Sequence, residues 1–397
     1  MVAPAPITER IAELDALRGL AVIGIVWMSV IGFALPSQAF YNPEVYGGEG
    51  PVDRLVWTVS FVFVEDKFRT LFALLFGAGC LVLIERSGAN PWRAHYARMA
   101  VLFAIGFAHA TLLASNEILR VYALAGLAIP VLAPLSARAL YAVAIGLVAV
   151  HLGGGIVAFG GAIVDFYAGR TGSDATLFAE RAFGNNEPAV RAALEIGRES
   201  LGERVARQLD GFGSQFRALI LAAPLNLAGM ALGMGLWKSR MLAGEWRTFR
   251  LQRLAAICAL ISLPALFALA LWVSSNAFPG ALVGAAGLVL SAPFDTLLAL
   301  SYAALAMAFF APDGAITRAL AAVGRLSLTN YLMTSVILGA IFATWGLGLF
   351  GHVSRAEAIV LSFVPIAAML VWSPLWIARF GQGPLERLWR WGTRLLS

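Results

Sequence analysis

The chain has 397 residues, of which 60% are apolar and only 13% charged, and its mean hydropathy is +0.79. Soluble domains are about half apolar and a quarter charged, so this balance excludes a water-soluble globular protein and points to an all-α, polytopic integral membrane protein. The apolar runs are continuous rather than alternating, which excludes a β-barrel, and the net charge of +6 is carried by basic residues at helix ends, which excludes a nucleic-acid partner.

At roughly 20 residues per crossing, ten segments are expected to span: 17–36, 55–84, 99–114, 121–135, 140–164, 217–237, 254–274, 281–311, 326–345 and 358–378. Residues 1–13 are polar, and no cleavable signal is expected because the first apolar run is too long and lacks a small-residue exit. That run opens with LDALRG. Asp15 and Arg18 fall three apart on one helix face, so they are expected to pair at the membrane entrance, with Asp15 suited to a helix N-terminus.

The second segment is too long for one span, and its middle reads Glu65-Asp66-Lys67-Phe68-Arg69. Four charges in five residues cannot face lipid. The expectation is a separate half-helix over 52–64 at the interface, or charges that face a wet interior. Lys67 and Arg69 should then be paired with Glu65, Asp66 or Asp53, because an unpaired charge in hydrocarbon is costly.

Residues 98–126, RMAVLFAIGFAHATLLASNEILRVYALAG, cross the bilayer, turn through Glu117 and Arg120, and re-enter by way of Tyr122. His109 lies halfway. An ionisable residue at that depth is a functional-site candidate, and Glu117, eight positions on, returns to the same helix face. The alternative is a neutral imidazole hydrogen-bonded to a neighbouring helix. His109 is expected to line an internal cavity with Glu117, Lys67 or Arg69 in reach and Asn330 or Tyr331 as a wall.

Small-residue runs at 153–161 and 229–233 permit close helix approach and would also suit a homodimer face. Residues 165–215 are expected to form an extracytoplasmic helical insertion on a single transmembrane domain spanning 1–397. Helical spacing over 189–209 carries acid–base pairs such as Glu203/Arg207. Asp295 is a second buried acid, with no partner legible in the sequence. Asn330 and Tyr331 place an amide and a phenol near the start of the ninth span.

The segments on one side hold Arg10, Arg18, Arg86, Arg93, Arg98, Arg138, Lys238 and the arginines near 240–253, 318–325 and 379–394, whereas the short connections opposite hold only Arg120 and Arg355. The positive-inside rule therefore places both termini in the cytoplasm. Cys80 and Cys258 lie in apolar segments and are expected to be free thiols. There is no P-loop, HExxH, CxxC or nucleophile elbow, and His95, His151 and His352 have no partner at metal-ligand spacing, so no metal site is expected.

LDALRGLAVIGI, KFRTLFALLFGAG, GFAHATLL…EILRVYALAG, GRLSLTNYLMTS and GPLERLWRWGT, in that order, resemble the YeiB family of bacterial membrane proteins, a domain of unknown function (DUF418). The resemblance spans nearly the whole chain. It implies a multi-pass protein of the bacterial inner membrane. One departure is Glu117, where that family more usually carries Asp. The LDxxRG opening is also similar to that of transmembrane acyltransferases, including the lysosomal heparan glucosaminide acetyltransferase class, which implies a shared multi-helix fold.

Two functions are compatible with these residues. In the first, an acyltransferase moves an acyl group from cytoplasmic acyl-CoA, a co-substrate rather than a bound cofactor, to an extracytoplasmic or lipid acceptor. His109 then acts as general base or acyl carrier, oriented by Glu117. In the second, a transporter or a lipid- or solute-binding protein uses the same buried polar groups. In both, Asp15, Arg18, Lys67, Arg69, Arg120, Tyr122, Asp295, Asn330 and Tyr331 are substrate-binding candidates, and the partners are the lipid bilayer and a small-molecule or lipid substrate.

Overall fold

The computed structural model describes residues 11–48, 50–86, 90–114 and 117–397, so Arg10 and most of the polar leader lie outside the described residues. Among the described residues every regular element is helical. In chain order they are α1 (Ala12–Ala34), a 3-10 turn (Ser37–Phe40), α2 (Pro51–Phe63), α3 (Lys67–Arg86), α4 (Pro91–Leu112), α5 (Leu119–Gly126) and α6 (Ile129–Leu132). Next come α7 (Ala137–Tyr167), α8 (Asp174–Phe183), α9 (Glu187–Gly197), α10 (Leu201–Asp210), α11 (Phe212–Lys238) and α12 (Thr248–Ser275). The chain closes with α13 (Gly280–Ala285), a π-helical turn (Ala286–Leu290), α14 (Ala292–Phe309), α15 (Ala315–Arg325), α16 (Ser327–Phe342), α17 (Arg355–Phe380) and α18 (Pro384–Leu396).

Among the described residues seven spans are long and apolar enough to cross a membrane, with α2 and α3 counted as one, and α15–α16, bent by 80°, supply an eighth; of the ten segments expected, the third, in α4, and the fourth are not among them. The fourth predicted segment is instead a broken return. Its helices α5 and α6 are only eight and four residues long. Pro130 in the first turn of α6 lacks an N–H and suits a helix start rather than a helix middle.

The predicted break in the second segment falls at 64–66. Asp66 takes a left-handed conformation, φ 59°, which a short polar side chain tolerates better than most. The half-helix α2 exists, but it continues toward α3 as part of one 36-residue span. The charges at the break face protein: Lys67 meets Asp295 at 2.6 Å and Arg69 meets Asp66 at 3.0 Å.

Helix α1 is central and packs on α3, α14, α15, α16 and α17, while α11 packs on α3, α5 and α7. The predicted small-residue contact at 229–233 is made against α3, where a Cβ on Gly233 would lie 1.8 Å from the Leu74 carbonyl oxygen. Gly233→Leu is therefore expected to destabilise by about 1–3 kcal/mol or more through overpacking, read as a lower unfolding midpoint in detergent. An unchanged midpoint would contradict this packing. In the 153–161 run a Cβ on Gly153, Gly154 or Gly160 would meet nothing within 4 Å, whereas one on Gly155 would lie 2.3 Å from Val289.

The insertion folds as α8, α9 and α10 rather than one helix over 189–209. Ser200 and Glu203 form a reciprocal capping box that starts α10 afresh. Glu203 is occupied by that cap, whose N–H and hydroxyl hold its carboxyl below the usual range. Arg207 accordingly pairs with Glu199 at 2.5 Å instead of Glu203.

Helix α4 relates the two ends of the molecule. Trp389 of α18 donates to the Arg98 carbonyl near its start (3.0 Å), and Arg204 of α10 donates to the Ala110 carbonyl near its end (3.0 Å). Cysteines introduced at Ser397 and at Asp174 are thus expected to react with impermeant reagents from opposite sides of the membrane. Labelling from the same side would contradict this topology.

Candidate functional site

Two helix starts converge on one chamber. At the start of α3, Asp66 pairs with Arg69 (3.0 Å). At the start of α5, Glu117 accepts from the backbone N–H groups of Leu119 and Arg120 (2.9 Å for Arg120) and from Arg120 Nε at 3.4 Å. Each carboxylate therefore stands where the helix leaves N–H groups without intrahelical partners and the macrodipole is positive. Arg120 also donates from Nη1 to Gln215 Oε1 of α11 at 2.9 Å. The Tyr331 hydroxyl of α16 accepts from the Ile118 N–H at 3.3 Å. These groups, with Tyr41, line a cavity of about 250 Å³.

Close approach of α4 makes this arrangement possible. A Cβ on Gly106 would lie 2.9 Å from the Arg120 nitrogen and 3.0 Å from Glu117 Oε2. Gly106→Val is expected to push the Glu117 turn out of place and to lower both stability and any ligand affinity of the chamber. A variant with wild-type unfolding and binding would show that this contact is slack.

A second cavity of about 540 Å³ lies beneath the insertion and shares Ser29, Phe40 and Tyr41 with the chamber. Its polar side comes from α10, with Arg204 and Arg207 flanking Glu199 at 3.6 and 2.5 Å. Its other walls are mainly apolar, including Phe33, Phe342 and Trp345, with the hydroxyls of Ser29, Ser37 and Tyr41 among them. The vestibule is thus shaped for an amphipathic molecule, and it leads inward to charge.

His109 is 2% exposed and does not line the chamber, contrary to the sequence expectation. It stands behind Glu117 and Tyr331. Its Nδ1 is 4.0 Å from Glu117 Oε1, its Nε2 is 2.9 Å from Ser335 Oγ, and its ring meets Tyr331 edge-on at 5.3 Å. The eight-residue spacing brings His109 and Glu117 together, but through a turn: α4 ends at Leu112 and Glu117 folds back beside Gly106.

Among the other candidates, Arg69, Arg120 and Tyr331 do line the chamber. Lys67 does not. Its ammonium turns away to Asp295 and the Phe61 carbonyl, and both partners of the ion pair are buried. Asp295 thus gains the partner the sequence did not reveal. Tyr122 is fully buried and donates to the Arg69 carbonyl at 2.7 Å, so it positions α5 against α3 without touching the cavity. Asn330 also falls outside the site. Its amide binds the Val323 carbonyl, Ser373 and Trp372, locking α15, α16 and α17 together. Asp15 and Arg18 pair at 2.7 Å as expected, yet they lie ten and seven residues before Ile25, the first α1 residue of the chamber, or about 15 and 10 Å along the helix. They are an entrance pair, separate from this site.

Sequence reading missed Tyr41, Gln215 and Ser335, which are single polar residues in runs with no charge pattern to mark them. Among the described residues no group of three His, Cys, Asp or Glu is placed to hold a metal ion.

No solved structure matches the chain. A family described as "Protein of unknown function (DUF418)" matches residues 236–395. The uncharacterized protein YeiB of Escherichia coli (strain K12) is 34% identical over 394 residues, covering 96% of each chain. The uncharacterized protein YxaH of Bacillus subtilis (strain 168) is 26% identical over 426 residues, covering 99% of this chain and 96% of that one. With both halves of the site, the helix starts near residues 67 and 119 and the serine of α16, inside the aligned length, the chain belongs to the YeiB (DUF418) family of multi-pass membrane proteins.

Proposed function

We propose that this protein is a membrane-embedded acyltransferase of the bacterial inner membrane, with both termini cytoplasmic. It would transfer an acyl group from cytoplasmic acyl-CoA to an amphipathic acceptor that enters through the outer vestibule. The observation that carries the reading is the placement of the His109 imidazole, bonded to a hydroxyl, beside a chamber where Arg69 and Arg120 meet the carboxylates of Asp66 and Glu117 at the starts of α3 and α5. An imidazole that takes up a proton from an attacking hydroxyl or amine speeds the attack. Guanidiniums lining such a chamber favour the negative charge that develops on a thioester carbonyl oxygen during attack, in competition with the carboxylates they already pair with.

In this reading Arg69 and Arg120 hold the anionic side of the reacting groups, while Glu117 and Tyr331 stand between the imidazole and the chamber, where Glu117 steadies the imidazolium. The vestibule's apolar walls keep bulk water from competing with the acceptor.

The Lys67–Asp295 pair at the broken span favours a second reading, a transporter in which that pair relays a cation or proton. Thermal unfolding of the purified protein in detergent separates the two. Acetyl-CoA or palmitoyl-CoA is expected to raise the midpoint, by an amount that grows with concentration, while the corresponding free fatty acid is not. No shift with any acyl-CoA, together with a pH-dependent shift by a small solute, would favour transport.

A further inference from the structure

We propose that Ser335 is the nucleophile of this site, activated by His109, and that it carries the acyl group as an ester between donor and acceptor. The proposal rests on the transferase reading above and names its covalent intermediate.

Ser335 lies in the middle of α16, where a buried hydroxyl ordinarily bonds to the carbonyl one turn back. Thr334 does this onto Asn330, and Thr111 onto Phe107, each at 2.9 Å. Ser335 does not. Among the described residues its one hydrogen-bond partner is His109 Nε2, at 2.9 Å.

The direction of this bond follows the imidazole tautomer. In the productive tautomer the hydroxyl donates to the Nε2 lone pair and the ring proton sits on Nδ1. Nδ1 has no hydrogen-bond partner among the described residues, and the carboxylate near it is Glu117, at 4.0 Å. Serine, imidazole and carboxylate thus stand in the order by which a base activates a hydroxyl while a nearby carboxylate stabilises the imidazolium.

A small space adjoins the serine. Ser335 borders a cavity of about 10 Å³, room for roughly one water. Its other walls include Ser29, Phe33 and Ala114, which also line the vestibule. In the first half-reaction Ser335 Oγ bonds to the thioester carbonyl carbon, its proton moves to His109 Nε2, the C–S bond breaks, and the thiolate leaves with that proton. In the second, Nε2 takes a proton from the acceptor hydroxyl or amine, which attacks the ester. The C–Oγ bond breaks and the proton returns to Ser335.

The test is reaction of the full-length protein in detergent with a fluorophosphonate probe, read by intact mass and peptide mapping. An activated serine displaces fluoride from the probe whatever acyl donor or acceptor the protein uses. One adduct on Ser335 is expected, absent in Ser335→Ala and formed at least about 100-fold more slowly in His109→Asn. The proposal is overturned by wild-type protein that gives no adduct at Ser335. It is equally overturned by a Ser335→Ala variant, matching wild type in elution and unfolding, that still transfers acyl groups. Labelling of Ser335 without consumption of any acyl-CoA would instead retain the nucleophile and refute the acyl-CoA donor.

Discussion

Asp295→Ala is expected to be the most destabilising single change near the broken span, costing about 3–5 kcal/mol by leaving a buried ammonium without its carboxylate. Lys67 and Asp295 meet at 2.6 Å with side chains 1% and 2% exposed, so neither solvent nor lipid headgroups can replace the lost partner. The Phe61 carbonyl and ring, the latter 5.3 Å from the ammonium, provide only partial compensation. The double variant Lys67→Met/Asp295→Leu removes both charges and fills similar volume, and should recover more than half of the loss. Unfolding midpoints of the three proteins in one detergent decide the matter. A harmless Asp295→Ala, or a double variant no better than the single, would show that the pair is not what holds α3 against α14.

His109→Ala should have the largest effect on activity, lowering turnover by about 10²–10⁴-fold as expected for loss of a general base. It also removes the partner of Ser335, at a stability cost of about 1–3 kcal/mol. That loss is smaller than the one from Asp295→Ala, so expression and membrane insertion should survive. Glu117→Gln provides the contrast. The amide oxygen can accept at one of the two positions where the carboxylate meets the α5 N–H groups, while the charge facing Nδ1 is gone. Turnover should fall by less than in His109→Ala with the chamber intact. Equal loss of fold in both variants would mean that the imidazole and the carboxylate serve packing alone.

The parts of this site that carry charge were legible in the sequence because charge in an apolar run is expensive. Glu65–Arg69 announced a break, and His109 with Glu117 announced a buried cluster. The partners were not legible, because they depend on which helices meet. Lys67 was expected to pair with an acid on its own or a nearby segment and finds Asp295 some 230 residues away. Asn330 looked like a wall of the cavity because Tyr331 beside it is one, but adjacent helical residues point about 100° apart, and Asn330 faces α17. Ser335 was invisible for another reason. A lone serine in a span ordinarily satisfies itself on its own helix, and only the hydrogen-bond inventory in three dimensions shows that this one does not.

The most direct test of acyl transfer through His109 uses sealed inside-out membrane vesicles given radiolabelled acetyl-CoA or palmitoyl-CoA on the exposed cytoplasmic face. Wild-type protein is predicted to release CoA thiol and to move the label onto a lipid or lumenal acceptor, and His109→Asn, inserted in equal amount, is predicted to give only the background of vesicles lacking the protein. Intact thioester with wild-type protein at saturating donor, or equal transfer by His109→Asn, would contradict the account.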